Sequence, residues 1–515
     1  MSRALHVDHP IFHELVARAA ENSLRKIEVH GILTIIEFRG VGQLTKDIRS
    51  FIDYLRNNYP DEIQDVEQEV NPVLEISAIL GKLERLNRYP LLYFKKVKGS
   101  KVPLVINMSV GYRRLAMAMG LDSNHLPAEH FSYTDELAAE YLNRKANLIA
   151  PVKVDNGPCK EVVKKGTEVD LNEFPIPTFY SEDAGPYITA GITVSRDPEK
   201  PEFPKFNLGI YRHMLISKNR IGLYYSWGKY MHYLHKKAED KKEAMDIAIL
   251  IGYHPALYFA STDQSHLSEY SLAGAYMKEP VPLVKCETND IYVPANAEIV
   301  LEGKILPNVR QKEGPFGEAP GYYGQIVNSP VVEINCITHR HDPIYYAAPG
   351  GRHYEHMSGG IGHVFDMLVT LRKYFPTVKK IHRSMTTGSV GYTFVQIKKM
   401  NEGDPVNIGL MALAMNKRMK HAVVVDEDVN IFDEREVMWA IATRARADED
   451  YIIIPRAKGN RLDPTTYNRL RTSRDGMVTM VVIDATTKTG LPYEIPQVIK
   501  EPMIDSINLA DFGIR

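Results

Sequence analysis

Apolar positions recur three and four apart in residues 11–25, the period of an amphipathic helix, with Pro10 at its start. A β-branched run at 31–38 predicts a strand, and residues 44–57 and 72–86 return to helical spacing. Two short apolar strands follow at 90–94 and 102–108, then a helix over 112–120 ended by glycine. Helices alternating with strands up to this point predict one α/β domain. Between residues 150 and 345 the pattern changes to short strands set off by Pro, Gly, Asp and Asn: 187–195, 221–227, 255–260 and 331–337. That texture predicts a barrel or sandwich, with one helix at 230–247. The last third reads as α/β again, with strands at 390–397, 422–425 and 451–454 and helices at 406–419 and 434–446. The expected fold class is α/β multidomain, divided at 1–125, 126–345 and 346–515.

Composition narrows the function classes. Lys+Arg 63 against Asp+Glu 64 leaves a formal charge of -1, which argues against nucleic-acid or membrane-surface binding. The three cysteines, Cys159, Cys286 and Cys336, form no CxxC pair, so neither a disulfide framework nor a structural zinc site is expected. No signal-peptide pattern opens the chain, and no apolar run reaches the roughly 18 residues of a membrane span. A cytoplasmic protein is expected.

The chemistry concentrates around Glu313-Gly-Pro-Phe-Gly-Glu318, where Gly and Pro exclude a helix and two carboxylates lie five residues apart. Beside an apolar wall such a loop can keep one carboxyl protonated near neutral pH; read alone, it is also an ordinary surface turn. Phe206-Asn-Leu-Gly-Ile-Tyr-Arg212 is a strand in which Asn207 and Arg212 face opposite ways unless a bulge intervenes. Gly209 permits close approach of a ligand to the backbone. Arg212 is suited to hold a carboxylate substrate bidentately, to keep Glu313 charged, or simply to bridge two strands. Glu269 lies among hydroxyl residues at 265–274; with Asn207 it makes an oxygen-rich pair suited to Mg²⁺, Mn²⁺ or K⁺ at a phosphate. Asp426, Glu427 and Asp428 follow a strand, where helix capping or solvation outweighs metal binding.

In order, Asn-x-Gly-x-Tyr-Arg at 207–212, Leu-Ser-Glu-Tyr at 267–270, Pro-Ala-Asn-Ala-Glu-Ile-Val-Leu-Glu-Gly at 294–303 and Glu-Gly-Pro-Phe-Gly-Glu at 313–318 strongly resemble the UbiD family of decarboxylases. The likeness extends to 420–430 and 437–444. It implies a central flavin-binding split β-barrel flanked by N- and C-terminal α/β segments. It also implies prenylated FMN supplied by a flavin prenyltransferase, a divalent metal (Mn²⁺ first, Mg²⁺ or Fe²⁺ otherwise) and K⁺. Arg212, Glu313 and Glu318 would be the catalytic network, and Asn207, Gly209, Tyr211, Arg212 and Glu269 the cofactor-binding residues. Asn207 and Glu269 would ligate the metal. The family's histidine 16–18 residues after the Arg is replaced here by Gly228, Lys229 and Tyr230, leaving His232 as the candidate third ligand. A family lysine near the C-terminus is absent from Thr479-Met-Val-Val-Ile-Asp484.

The implied activity is reversible, non-oxidative decarboxylation of an aromatic carboxylic acid (phenolic, polycyclic or an acyl thioester), releasing CO₂, by a homo-oligomer. Glu318 would be the proton donor, and His353 and His356 would line the substrate pocket. Two other readings stand beside it. One is a subunit, non-catalytic or partner-dependent, of a multi-subunit carboxylase. The other is a metal-dependent hydrolase built on Glu269, His353 and His356.

Overall fold

The protein is seen in a computed structural model that describes residues 46–488, except 123–124, 198, 200–201, 227, 389–390, 417, 461 and 467–475, together with positions 507 and 511. The expected helix at 11–25 and strand at 31–38 lie outside the described residues, as does the end of the strand expected at 221–227.

Three sheets set the architecture. A four-stranded sheet takes Ile63–Val66, Leu91–Phe94 and Leu104–Ile106 from the first part of the chain, then Tyr345–Tyr346 from far downstream. A five-stranded sheet near the C-terminus runs in the order Val378–Arg383, Gly391–Ile397, Met419–Asp426, Met477–Ala485, Tyr451–Lys458. Its central pairings are parallel, with the helices Asp404–Met415 and Glu434–Arg444 as crossovers.

Between them lies a nine-stranded sheet. Its path runs Tyr187–Ile188, Arg212–Ser217, Arg220–Tyr224, Val327–His339, Ile299–Glu313, Met245–Ile251, Ile192–Ser195, Asn207–Ile210, with Val162–Lys165 added beside Val327–His339. Strands Asn207–Ile210 and Arg212–Ser217 stand near opposite ends of this path, yet only Tyr211 separates them in sequence. One residue spans under ~4 Å, so the sheet curls until its ends meet. This is the curled half-barrel expected for the middle of the chain, within the expected mixed α/β class. It is apolar along one cross-strand row: Ile249, Leu301 and Ile337 stand side by side and are all 0 % exposed.

Several local predictions need correction. Residues 255–260, expected as a strand, form the helix Pro255–Ser261: Pro255 occupies its first turn, and the His254 side chain accepts from the Ala256 N–H at 3.3 Å. Every residue of it is buried, so no amphipathic period is visible in the sequence. The helix expected over 230–247 stops at Asp240, and Met245 opens a barrel strand. Glu313 belongs to no loop: it ends the 15-residue strand Ile299–Glu313, fully buried after exposed positions at 308–312. Asp426 and Asp428 both bond Arg444, at 3.1 and 2.7 Å, so this acidic run is an ion-pair cluster. No helix among the described residues is long and apolar enough to cross a membrane.

Candidate active site

The curl of the barrel brings three sequence-distant groups together. Arg212 opens its strand directly opposite Tyr224, whose ring lies 4.0 Å from the guanidinium carbon. Phe316 covers the guanidinium again at 4.9 Å. Glu313 arrives from the end of its own strand, and Glu318 from the turn that follows. That turn is tightly fixed. Gly314 adopts φ +91°, which only glycine takes without strain, and its N–H donates to the Tyr187 hydroxyl at 3.2 Å. Asp183 accepts from the Gly317 and Tyr180 N–H groups at 2.9 and 3.0 Å. The Glu318 N–H donates to the Tyr322 carbonyl at 2.9 Å, and the Gly324 N–H to the Phe316 carbonyl at 2.8 Å.

Arg212 forms a two-point fork with Glu313, Nε to Oε1 at 2.9 Å and Nη2 to Oε2 at 2.8 Å. Its Nη1 donates to Glu318 Oε1. One cation thus serves two carboxylates, and Glu318 receives the single bond. Burial raises the Glu318 pKa, Arg212 opposes the rise, Glu313 adds to it, and Arg418 opposes it. With its fork taken by Glu313, Arg212 cannot grip a second carboxylate bidentately. Tyr187, buried against Phe316 with ring centroids 4.5 Å apart, carries a raised hydroxyl pKa through burial and the nearby Glu313.

At the other side of Tyr211 lie Asn207 and Glu269. Asn207 Nδ2 donates to Ser195 Oγ at 3.2 Å, and the Asn207 side chain also lowers the Tyr211 pKa by hydrogen bonding, against the larger effect of burial, which pushes it up to about 12. Glu269 begins the helix Glu269–Met277, capped by Ser268. Burial pushes its carboxyl up to about 7, while its own and Leu208's N–H groups pull the other way. A partly buried carboxyl that meets backbone donors and the charge of Asp263 is a hard-oxygen donor suited to a divalent cation. Thr189 Oγ1, between two barrel strands, is buried with no hydrogen-bond partner among the described residues, a polar atom suited to a bound ligand. His232 lies in the first turn of the helix Tyr230–Asp240, its ring 6.1 Å from that of Tyr225.

His353 is buried, with Nδ1 3.2 Å from Glu84 Oε1 and its ring 5.9 Å from that of Tyr180. His356 is held neutral, its pKa pushed down to about 4 by burial and then by Arg418, His353 and Arg212. His356 therefore shares the electrostatic environment of Arg212, whereas His353 is tied to Glu84. No three His, Cys, Asp or Glu side chains among the described residues are grouped to hold a metal ion, so the hydrolase built on Glu269, His353 and His356 has no structural basis. Sequence reasoning missed Tyr187, Tyr224 and Arg418. Arg418 sits in a polar stretch between a helix and a strand, where nothing in the local pattern marks it.

The chain is similar to known proteins over most of its length. Residues 56–132, 151–353 and 356–485 match the N-terminal, Rift-related and C-terminal domains of the family described as UbiD, 3-octaprenyl-4-hydroxybenzoate carboxy-lyase. The anhydromevalonate phosphate decarboxylase of Methanosarcina mazei is 34% identical over 455 residues, 85% of this chain and 95% of that protein. The UbiD-class enzyme HmfF from Pelotomaculum thermopropionicum in complex with FMN is 37% identical, with a TM-score of 0.80 over 90% of this chain and 100% of that one. An evolved dimeric form of it, in complex with prFMN, is 32% identical with a TM-score of 0.77, covering 91% and 100%. The vanillic acid decarboxylase of Sedimentibacter hydroxybenzoicus in open form is 30% identical, with a TM-score of 0.77 over 89% and 96%. The chain belongs to the UbiD family and is a carboxy-lyase of that family.

Proposed function

We propose that this enzyme catalyses the reversible, non-oxidative decarboxylation of an unsaturated carboxylic acid, aromatic acids foremost, with prenylated FMN as cofactor and Glu318 as proton donor. The observation that carries this reading is the charge imbalance of the Arg212, Glu313 and Glu318 array. The guanidinium forks onto Glu313, and Glu318 is left with one bond and a raised pKa.

Prenylated FMN, when bound, supplies the electron sink for the pair left on carbon as CO₂ departs. Glu318, protonated because burial disfavours its anion, gives its proton to that carbon: the C–C bond breaks, a C–H bond forms, and solvent restores the acid. Arg212 and Glu313 hold Glu318 in place and set its acidity. Asn207 and Glu269, with Gly209 and Tyr211 on the same segment, would hold the cofactor phosphate through Mn²⁺ (or Mg²⁺ or Fe²⁺) and K⁺. His232 is the third candidate ligand. A phosphate dianion beside Glu269 requires cations between them. The aromatic preference draws on the ring-lined wall of Tyr187, Phe316 and Tyr180, and on the relative named for vanillic acid. The relative named for anhydromevalonate phosphate widens the class beyond it. His356, neutral and half-buried, is suited to hydrogen-bond a ring hydroxyl, and His353 to position it. The reading includes cofactor supply by a flavin prenyltransferase, a cytoplasmic setting and a homo-oligomer, dimer or larger.

Protein co-expressed with a flavin prenyltransferase under anaerobic conditions is expected to yield a bound cofactor with the mass of prenylated FMN. Exchange of labelled CO₂ into unsaturated acids then tests the reaction. Glu318→Gln is expected to keep the flavin and lose exchange by roughly 10²–10⁴-fold. Normal turnover by that variant would remove Glu318 from the mechanism.

A further inference from the structure

The Glu318 turn and the segment carrying His353 and His356 come from different stretches of the chain, and Tyr180 lies between them. A Cβ at Gly317 would stand 2.4 Å from Tyr180 Cδ2, and a Cβ at Gly351 would stand 2.3 Å from Tyr180 Oη. The ring is therefore closed in by one glycine of the turn and one of the segment, at distances that no added methyl could occupy. Its hydroxyl donates to the Gly350 carbonyl at 3.1 Å, and its ring lies 5.9 Å from that of His353. Phe316 makes a parallel contact: a Cβ at Gly350 would stand 2.3 Å from Phe316 Cζ, and the same ring covers Arg212.

The two partners of this ring hang on different supports. The turn is tied to the stretch from Tyr180 to Ala184. Asp183 takes the N–H groups of both Tyr180 and Gly317, and the Ala184 N–H donates to the Pro315 carbonyl at 2.9 Å. The Tyr323 hydroxyl accepts from the Glu182 N–H at 3.1 Å. The histidine segment is tied instead to the four-stranded layer. Glu355, fully buried, accepts from the Asn107 and Ser109 N–H groups at 2.8 and 3.0 Å and from the Tyr346 hydroxyl at 2.9 Å. Glu84 takes the Tyr354 N–H at 3.0 Å. Tyr180 belongs to the first support through its backbone and reaches the second with its side chain.

Proton transfer to carbon is sensitive to this spacing, because an acid misplaced by about 1 Å can cost 10²-fold in rate. The acid sits on one support, and in the decarboxylase reading above the substrate is met by the histidines of the other. A stiff ring wedged between two glycines holds that distance better than a flexible chain could. We propose that Tyr180 is a positioning residue for proton transfer from Glu318, its ring fixing the spacing between the acid-bearing turn and the segment that holds the substrate. The catalytic half of this statement rests on the decarboxylase reading; the coupling of the two segments does not.

The test compares flavin-loaded native enzyme with Tyr180→Leu and Tyr180→Phe. Hydrogen–deuterium exchange is read over residues 314–324 and 349–354, and kcat and KM are taken from CO₂ release. In Tyr180→Leu both segments are expected to exchange faster together. Its kcat is expected to fall by about 10–100-fold with KM little changed. Tyr180→Phe, which keeps the ring, is expected to regain most of that loss. Should Tyr180→Leu fail to fold, Gly317→Ala presses a methyl into the same ring and is expected to show the same pair of changes. Faster exchange in neither segment, or in one alone, overturns the proposal. So does a rise in KM with kcat kept, since Tyr180 would then be a substrate contact. A loss in Tyr180→Phe as deep as in Tyr180→Leu overturns it as well, because the hydroxyl and not the ring would be at work. Absence of CO₂ release from every acid refutes the decarboxylase reading, while deuterium exchange still decides whether Tyr180 couples the two segments.

Discussion

In the proposed reaction one proton is shared out among Arg212, Glu313 and Glu318. With Glu318 as the proposed acid, turnover is expected to require its protonated form and to decline as pH rises through its pKa. That pKa is raised, which puts the alkaline limb of kcat above the ordinary carboxylate range. Glu313 contributes to the rise by its negative charge. Glu313→Gln removes that charge while Arg212 still pulls the Glu318 pKa down. The limb is therefore expected to move to lower pH, with kcat at neutral pH reduced. A profile of kcat against pH for the two proteins checks this, and a limb that stays in place would show that the Glu313 charge is not felt at Glu318.

At the scale of elements, the site depends on how closely the turn after the Ile299–Glu313 strand folds back on Arg212. Gly324 marks the closest approach. A Cβ there would stand 3.3 Å from Glu318 Cγ and Oε1 and 3.4 Å from Arg212 Nη1. Gly324→Ala is expected to displace the acid by a few tenths of an ångström and lower kcat by about tenfold or more, with flavin content and thermal stability retained. Activity assays beside a melting curve separate this outcome from misfolding. The same scale explains the errors in reading elements from sequence. The helix Pro255–Ser261 is buried all round, so its residues show an apolar run and no helical period. The strand ending at Glu313 carries four polar residues around Val309 at 308–312, which look like a loop until pairing with Val327–His339 is seen.

At the scale of the molecule, Glu298 ties the barrel to the preceding α/β layer. It is fully buried and accepts from Arg49 Nε and Nη2, both at 2.8 Å, and from the Ile344 N–H at 3.0 Å. Arg49 lies on the helix Ile48–Asn58, and Ile344 precedes the strand Tyr345–Tyr346 that completes the four-stranded sheet. Glu298→Ala removes both Arg49 bonds and leaves the Ile344 donor unpaired, while Arg49, partly exposed, keeps its bond to the Asp342 carbonyl. It is expected to cost about 1–3 kcal/mol, read as a lowered denaturant midpoint. A midpoint within error of the native protein would show that the layers are held by apolar packing alone.

The sequence by itself determined what local rules govern. Periodicity marked most of the helices and strands, composition set the broad class, and four short motifs in order pointed to the family and to Arg212, Glu313 and Glu318 as a set. Only the tertiary structure decided how these residues meet. Asn207 and Arg212 are five positions apart in one apparent strand, yet they belong to strands near opposite ends of the curled sheet, a relation fixed by long-range pairing that no window of sequence contains. The raised pKa of Glu318 sums desolvation by many neighbours with the fields of Arg212, Glu313 and Arg418, so it exists only once the chain is folded.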